Sequence, residues 1–303
     1  MTSRNQPTIV ASAFSRTCLV PRALTFLLPL GLSAVVLTGQ DTPPPVPATP
    51  PAGYTLVWSD EFNVDGVPDA KNWTYEDGFV RNQELQWYQP DNARVAGGLL
   101  VIEGRRERRA NPRYEAGSTD WRRRREFADY TSSSLMTRGL RTWQYGYFEM
   151  RARFEARTGL WPAWWTLGAS GGWPHNGEID ILEYYGGNLL ANVAWGGAVR
   201  GRAVWDDVRK PVTSLGEGWS QQFHVWRMWW DERSIRLSVD DVWLNDVDLE
   251  RTTNQDASGV NPLRRPHYMI VNLAIGGTNG GDPAATPFPS RYEIDYIRVY
   301  QRK

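Results

Sequence analysis

The sequence predicts an all-β protein, a β-sandwich of two curved antiparallel sheets of the jelly-roll type. Apolar and charged residues alternate along many segments, and no segment has the sustained apolar stripe of a long helix. Glycine and proline clusters separate the alternating runs at intervals that are typical of sandwiches. The chain has 303 residues, 41% of them hydrophobic, which is sufficient for one large domain of this kind.

Three segments show the alternation most clearly. Residues 148–154 place apolar side chains at even positions and charged ones at odd positions. Residues 235–239 alternate in the same way, and the pattern resumes at Val242 after a pair of aspartates, which predicts a hairpin with a short acidic turn. Residues 292–300 form another alternating run near the end of the chain. We predict β-strands in all of these segments.

Residues 1–40 have the order of a secretory signal, because arginines precede an apolar run at 23–37 and small and polar residues follow it. The apolar run is shorter than the roughly 20 residues of a spanning helix, so we predict no stable membrane insertion. Residues 41–53 are proline-rich and predict an extended linker. We expect a secreted protein, periplasmic or at the cell surface, whose single catalytic domain spans residues 54–303.

The composition excludes several classes of function. The chain has 34 basic and 34 acidic side chains, and this zero net charge argues against a nucleic-acid partner. Its single cysteine, Cys18, lies in the predicted signal, which excludes a disulfide framework, cysteine zinc sites and thiol catalysis. The sixteen tryptophans are more than a core of this size requires, and indole rings stack well on sugars. A tryptophan-rich core remains the alternative.

A cluster of acids carries the predicted chemistry. Glu178 and Asp180 share one face of a strand because side chains alternate, and the isoleucines that follow them fill the opposite, buried face. Strict alternation sends Glu183 to the wrong side, but one extra residue in a β-bulge returns it to the face of the other two. We therefore predict a kink between positions 180 and 183 and three carboxylates on one face.

Closely spaced carboxylates suit the cleavage of glycosidic bonds. Like charges raise the pKa of at least one acid, which keeps it protonated beside an ionised neighbour. The protonated acid donates to the leaving oxygen while the ionised one attacks the anomeric carbon. A solvated strand face is the alternative, but such a face does not gather the tryptophans found in the surrounding sequence: Trp161, Trp164, Trp165, Trp173 and Trp195.

These motifs resemble glycoside hydrolase family 16, in particular its laminarinase-like and agarase-like branch. The E-x-D-x-x-E motif of that branch is matched by Glu178, Asp180 and Glu183. Five further segments are similar to family strands: 57–62 (VWSDEF), 82–88 (NQELQWY), 159–165 (GLWPAWW), 272–277 (NLAIGG) and 295–300 (DYIRVY). The resemblance covers residues 54–303 in order.

The resemblance implies a concanavalin-like jelly roll with a concave cleft and retaining hydrolysis of internal β-glycosidic bonds. It implies Glu178 as nucleophile, Glu183 as general acid/base and Asp180 as a supporting carboxylate. Separately, we expect a monomer that needs no cofactor for the chemistry. The leading substrate is a β-1,3- or mixed-linkage glucan. The alternatives are an algal galactan or another anionic polysaccharide, a non-catalytic lectin on the same fold, and transglycosylation.

Seven residues are expected to bind substrate: Asn82, Arg138, Trp161, Trp165, Trp173, His175 and Trp195. The resemblance implies the first four, with the two indoles at 161 and 165 flooring the donor side of the cleft. Ala194 departs from the pattern, because laminarinase-like members often have a histidine there. This departure puts the usual preference for β-1,3-glucan in doubt.

The resemblance also implies a structural calcium ion on the convex face, away from the cleft. The matching positions are Glu61, a backbone carbonyl near Gly97 or Gly98, and Asp295. Carboxylate and carbonyl oxygens are ligands that calcium prefers. Ordinary strand acids without a metal are the alternative interpretation.

Arginines crowd the segment from residue 105 to residue 125, and four of them end it in succession. Guanidinium groups of this kind are able to bind the sulfates or uronates of an anionic polysaccharide. Acids are interspersed along the same segment and neutralise much of its positive field. We therefore favour a solvated loop over a site for anionic sugars.

Overall fold

The computed structural model describes residues 46, 47 and 49–303. The predicted signal segment, 1–40, lies outside the described residues, and so does part of the predicted linker at 41–53. Among the described residues, no helix has both the length and the apolar character needed to cross a membrane.

The described residues form twenty β-strands. In chain order, these are β1 Tyr54–Asp60, β2 Thr74–Tyr75, β3 Gln86–Tyr88, β4 Ala93–Ala96, β5 Leu99–Gly104, β6 Arg109–Ala110, β7 Phe127–Ala128, β8 Tyr130–Ser132, β9 Ser134–Met136, β10 Gly146–Phe154, β11 Leu160–Gly168, β12 Glu178–Tyr185, β13 Asn188–Gly196, β14 Ala203–Asp206, β15 Arg209–Pro211, β16 His224–Trp230, β17 Ser234–Val239, β18 Val242–Asp248, β19 His267–Ile275 and β20 Ser290–Arg302. The helices are short: α1 Trp121–Arg124, α2 Gly277–Gly280, and the 3₁₀ turns Pro90–Asn92, Val212–Leu215, Trp219–Gln221, Leu249–Arg251 and Pro262–Arg264.

Two antiparallel sheets of eight strands each form the sandwich. The first sheet has the order β18–β17–β16–β10–β20–β5–β4, and β1 also pairs with β20. The second sheet has the order β14–β13–β12–β11–β19–β9–β2, and β15 also pairs with β13. Two small sheets, the parallel pair β3–β8 and the antiparallel pair β6–β7, lie beside them. The predicted all-β jelly-roll sandwich is confirmed.

The strands predicted from alternation are present. Residues 148–154 lie in β10, which pairs with β16 and β20 in the middle of the first sheet. Residues 235–239 lie in β17, which forms the predicted hairpin with β18. Asp240 in the turn has φ 48°, a left-handed conformation that aspartate tolerates better than most residues. Residues 292–300 lie in β20, the longest strand described.

One hydrophobic core fills the space between the two sheets, and it contains several tryptophans. Trp164 comes from the second sheet, while Trp226 and Trp230 come from the first, and all three side chains are almost fully buried. Replacing such a ring by alanine typically costs about 3–5 kcal/mol. The tryptophan-rich core is therefore confirmed, while Trp161 and Trp165 line the cleft and stacking of indoles on sugars stays a prediction.

Candidate active site

Three carboxylates meet on one face of β12 because that strand contains a β-bulge. Between Asp180 and Glu183 the pairing of β12 with β13 shifts its register. The two residues inside the shift, Ile181 and Leu182, both pack into the core. Glu183 therefore returns to the face that presents Glu178 and Asp180. The kink predicted from the sequence is confirmed.

The two outer acids each accept a hydrogen bond from an indole. Trp173 Nε1 donates to Glu178 Oε2 at 2.7 Å. Trp161 Nε1 donates to Glu183 Oε1 at 2.7 Å, and Asn192 Nδ2 lies 3.4 Å from the other oxygen of that carboxylate. An N–H donor favours the ionised form of a carboxylate without adding a charge of its own. These contacts fix the orientation of both carboxylates and leave their chemistry intact.

Burial holds all three acids above their ordinary pKa. Removal from water raises the pKa of Glu178 to about 7, against the hydrogen bond from Trp173, which lowers it. Burial raises the pKa of Glu183 to about 8, again against the hydrogen bond from an indole. Burial and then the charges of its two neighbours raise the pKa of Asp180 well above its usual value. The site therefore keeps protons on its carboxyls near neutral pH.

The acids lie in an open cleft on the second sheet, with a volume of about 610 Å³. Trp161, Ala163 and Trp165 on β11 line one side of it. Trp165 Nε1 donates to Asn272 Oδ1 at 2.7 Å, and the amide nitrogen of Asn272 donates to the hydroxyl of Tyr88 at 3.0 Å. These hydrogen bonds fix the position of the Trp165 ring in the lining of the cleft.

A half-buried arginine lies beside the acids. Arg81 lines the cleft, forms an ion pair with Glu76, and lies over the ring of Trp165 at 5.1 Å. Its positive charge acts to lower the pKa of Glu178, although burial outweighs it. Arg81 is thus a positive charge close to Glu178, which has the lower pKa of the two outer acids.

Replacing Glu178 by glutamine should raise stability at alkaline pH. The folded-state pKa of about 7 lies above the ordinary value of 4.5, so this group's stabilising contribution is complete below pH 4.5 and is lost as pH rises through 7. Glutamine removes that loss. We expect the variant to be more stable than the parent by about 2 kcal/mol at pH 8, roughly 5 °C in Tm. Thermal unfolding at pH 4 and pH 8 checks this, and an equal gain at both pH values would contradict it.

Comparisons with known proteins identify the family of this chain. Residues 87–298 match the family described as Glycosyl hydrolases family 16. The chain belongs to glycosyl hydrolase family 16. It is therefore an O-glycosyl hydrolase, and the alternative of a non-catalytic lectin is not favoured.

Similar members of family 16 act on β-linked glycans. The β-glucanase of Rhodothermus marinus is 37% identical over 270 residues, which is 82% of this chain and 85% of that protein. The glucan endo-1,3-beta-glucosidase A1 of Niallia circulans is 29% identical over 83% of this chain, but the match covers only 38% of that longer protein. A solved structure from work on endo-acting O-glycanases, which prominent human gut bacteria express to initiate mucin breakdown, has a TM-score of 0.76 and 38% identity. That match covers 85% of this chain and 94% of the other.

The structure brings four of the seven expected substrate-binding residues of this family 16 chain into the cleft. Trp161 and Trp165 lie on its floor. Asn82 lines it from the loop before β3, and Trp173 lines it from the turn before β12. Trp173 is 49% exposed, so part of its side chain is accessible from the cleft.

The expectation that Trp195 binds substrate is wrong. Ala194 pairs with Glu178 across β12 and β13, so Ala194 shares the cleft face with the acid. Trp195 follows it and therefore points to the other face of the sheet, where it is buried in the core. The sequence correctly placed Trp195 on a strand close to the acids, but it assigned the side chain to the wrong face of the sheet.

His175 and Arg138 do not line the cleft. The His175 ring lies against Gly196, its Nε2 is 3.5 Å from Asp256, and its carbonyl accepts from Asn254 at 2.9 Å. These contacts make it a support for the turn before β12. Arg138 is exposed and its guanidinium lies 5.7 Å from the ring of Tyr268, outside the residues that line the cavity.

The two carboxylates expected to hold calcium both form ion pairs with arginines. Both oxygens of Glu61 accept hydrogen bonds from Arg298, at 2.8 and 2.7 Å. Asp295 forms an ion pair with Arg151 at 2.5 Å. Gly97 donates its N–H to an aspartate at 2.9 Å. Since each carboxylate already faces a guanidinium, calcium stays a prediction from the resemblance alone.

Several cleft residues were not singled out from the sequence: Arg81, Glu84, Asn192, Trp205 and Arg209. The pairing of β12 with β13 would have indicated Asn192 as a cleft residue, because Asn192 pairs with Asp180. Its Oδ1 accepts from a backbone N–H at 3.1 Å, which turns its amide nitrogen toward the acids. Trp205 pairs with Ala194 and is 43% exposed, so an indole occupies the cleft face beside the position where a histidine is usual.

Proposed function

We propose that this chain hydrolyses internal β-glycosidic bonds of a β-1,3- or mixed-linkage glucan, with retention of anomeric configuration. The observation that carries the proposal is the bulge in β12, which gathers Glu178, Asp180 and Glu183 on one face of an open cleft. The open shape suits a long chain that enters at its middle, because neither end of the polymer has to thread through the site. The names of similar family members support a glucan as substrate.

In the first step, Glu183 donates its proton to the glycosidic oxygen while the carboxylate of Glu178 attacks the anomeric carbon. The bond from that carbon to the leaving oxygen breaks, and the sugar becomes esterified to Glu178. The order of the two pKa values suits these roles, since Glu183 retains its proton to the higher pH.

In the second step, ionised Glu183 takes a proton from water, and the water oxygen attacks the anomeric carbon. The ester bond to Glu178 breaks, and the product leaves with its original configuration. Asp180 has a raised pKa and a hydrogen bond with Glu178, so in its protonated form it donates to the nucleophile and stabilises its charge. A sugar hydroxyl in place of water gives transglycosylation by the same step.

A panel of purified polymers tests the substrate class. We expect reducing ends from laminarin or lichenan, with oligosaccharides of several lengths from the outset, since internal bonds are cut. Agar, carrageenan, porphyran and mucin O-glycans are the comparison arms, the last because of the O-glycanase similarity. If reducing ends were released only from these comparison polymers, the glucan assignment would be overturned. Ala194 and Trp205 would then be interpreted as residues that select a different sugar. Inverted configuration in the first products, read by NMR, would exclude the double displacement.

We also propose that the enzyme acts outside the cytoplasm, as a monomer. The order of charged, apolar and small residues in 1–40 supports export. Glucan polymers are too large to cross a membrane, so a hydrolase of this kind meets them outside the cell. N-terminal sequencing of the exported protein checks removal of this segment.

A further inference from the structure

The arginine-rich segment from residue 105 to residue 125 is not used by the chemistry described above. Several of its arginines are neutralised locally: Arg113 pairs with Asp77 and Arg123 pairs with Glu115, both at 2.6 Å. These exposed ion pairs agree with the interpretation of a solvated loop. Arg125 makes different contacts, because it donates to backbone carbonyls of another loop.

That other loop, residues 80–84, supplies one wall of the cleft. Arg81, Asn82 and Glu84 all line the cavity. Asn82 and Gln83 have φ angles of 53° and 51°, so two successive residues with side chains adopt the left-handed conformation. Asparagine tolerates this conformation better than most residues, but it is unfavourable for glutamine, so Gln83 keeps it only where surrounding contacts enforce it.

The arginine-rich segment provides such contacts. Arg125 Nη1 donates to the carbonyl of Glu84 at 2.5 Å, and its Nη2 donates to the carbonyl of Gln83 at 2.9 Å. Arg122 Nε donates to the carbonyl of Val80 at 3.0 Å. The planar fork of a guanidinium holds two neighbouring carbonyls at once, which an ammonium does less well. The segment therefore bonds to the loop at Val80, before the left-handed pair, and at Gln83 and Glu84, at its C-terminal side.

The guanidinium of Arg125 is itself held in place. It lies 5.1 Å from the ring centroids of both Phe79 and Trp121. On the opposite side of the loop, the N–H of Thr278 donates to the carbonyl of Asn82 at 2.8 Å. The loop is thus hydrogen-bonded both to the arginine-rich segment and to Thr278 of α2.

We propose that Arg125 is a positioning residue that holds Arg81 and Asn82 at the wall of the cleft. The proposal rests on the proposed function, since it assigns those two side chains to sugar binding. Glu178 and Glu183 lie on β12 and make no contact with Arg125 among the hydrogen bonds and ion pairs of the described residues. Loss of Arg125 should therefore weaken substrate binding far more than the chemical step.

Steady-state kinetics of Arg125→Ala and Arg125→Lys test the proposal, with Arg123→Ala, two residues earlier in α1, as matched control. We expect KM for the glucan to rise about tenfold in Arg125→Ala with kcat within twofold of the parent. Arg125→Lys should recover part of the loss, because lysine reaches one carbonyl but not two. The control should be unchanged. Equal KM in Arg125→Ala and Arg123→Ala would overturn the proposal.

Hydrogen exchange supplies a readout that needs no substrate. The amide of Glu84 donates to the carbonyl of Arg81 within the loop, and the amide of Leu85 donates to the carbonyl of Ile275 on β19. Both amides should exchange faster in both Arg125 variants than in Arg123→Ala. Unchanged exchange there would overturn the positioning role even if KM had risen. If the parent cleaves no glucan, the proposed function fails, while the exchange result still decides whether Arg125 holds the loop.

Discussion

Glu178→Gln is expected to abolish cleavage of the polysaccharide while leaving its binding within a few-fold of the parent. Glutamine has nearly the same shape and keeps an oxygen to accept the hydrogen bond from Trp173. It lacks the negative charge that makes the carboxylate a nucleophile. We expect the rate to fall roughly 10⁴-fold or more. Release of reducing ends and affinity electrophoresis in a gel that contains the glucan measure the two effects separately.

Glu217→Gln is a matched control, because Glu217 is exposed and is not one of the residues that line the cleft. It should cleave and bind like the parent. If Glu178→Gln retained a tenth of the parent rate, another group would have to be the nucleophile. If it lost binding together with cleavage, the side chain would be needed to hold the sugar rather than to react with it.

The acids were predictable because a strand has only two faces. Alternation placed Glu178 and Asp180 together, and the need to bring Glu183 back required a bulge, which the register shift confirms. In the structure, Ile181 and Leu182 inside the bulge both pack into the core, as the return of Glu183 to the face of the other two acids requires.

Residues supplied by loops and by neighbouring strands were harder to predict. Trp195 was assigned to the cleft from its closeness in sequence, but its side of the sheet depends on which residue pairs with Glu178. Trp205 reaches the cleft only because β14 pairs with β13 in a particular register. Arg81 depends on a left-handed turn at Asn82 that is held by contacts more than forty positions away in the sequence. Pairing register and long-range contacts of this kind leave no local pattern.

Glu183→Ala is expected to lower cleavage of the glucan by about 10³-fold, because the leaving sugar then departs without a proton. An aryl glycoside with an acidic phenol should lose much less in its first step, since that leaving group needs no protonation. Added azide should restore turnover of the aryl substrate and yield a glycosyl azide of retained configuration, because azide attacks without a general base. In Glu178→Ala, azide should take the place of the missing nucleophile and yield a glycosyl azide of inverted configuration. If Glu183→Ala gave the inverted azide and Glu178→Ala the retained one, the two assigned roles would be reversed.

The pH profile of the same variant distinguishes a proton donor from a residue that only shapes the cleft. In the parent, protonation of Glu178 limits the rate on the acid side and ionisation of Glu183 limits it on the alkaline side, with apparent values that belong to the coupled pair. Both limbs should lie above the ordinary range of carboxylic acids, since burial raises both pKa values. With the aryl substrate and azide, Glu183→Ala should keep the acid limb and lose the alkaline one. An alkaline limb that survived in the variant would have to come from another group, and Glu183 would then not be the acid.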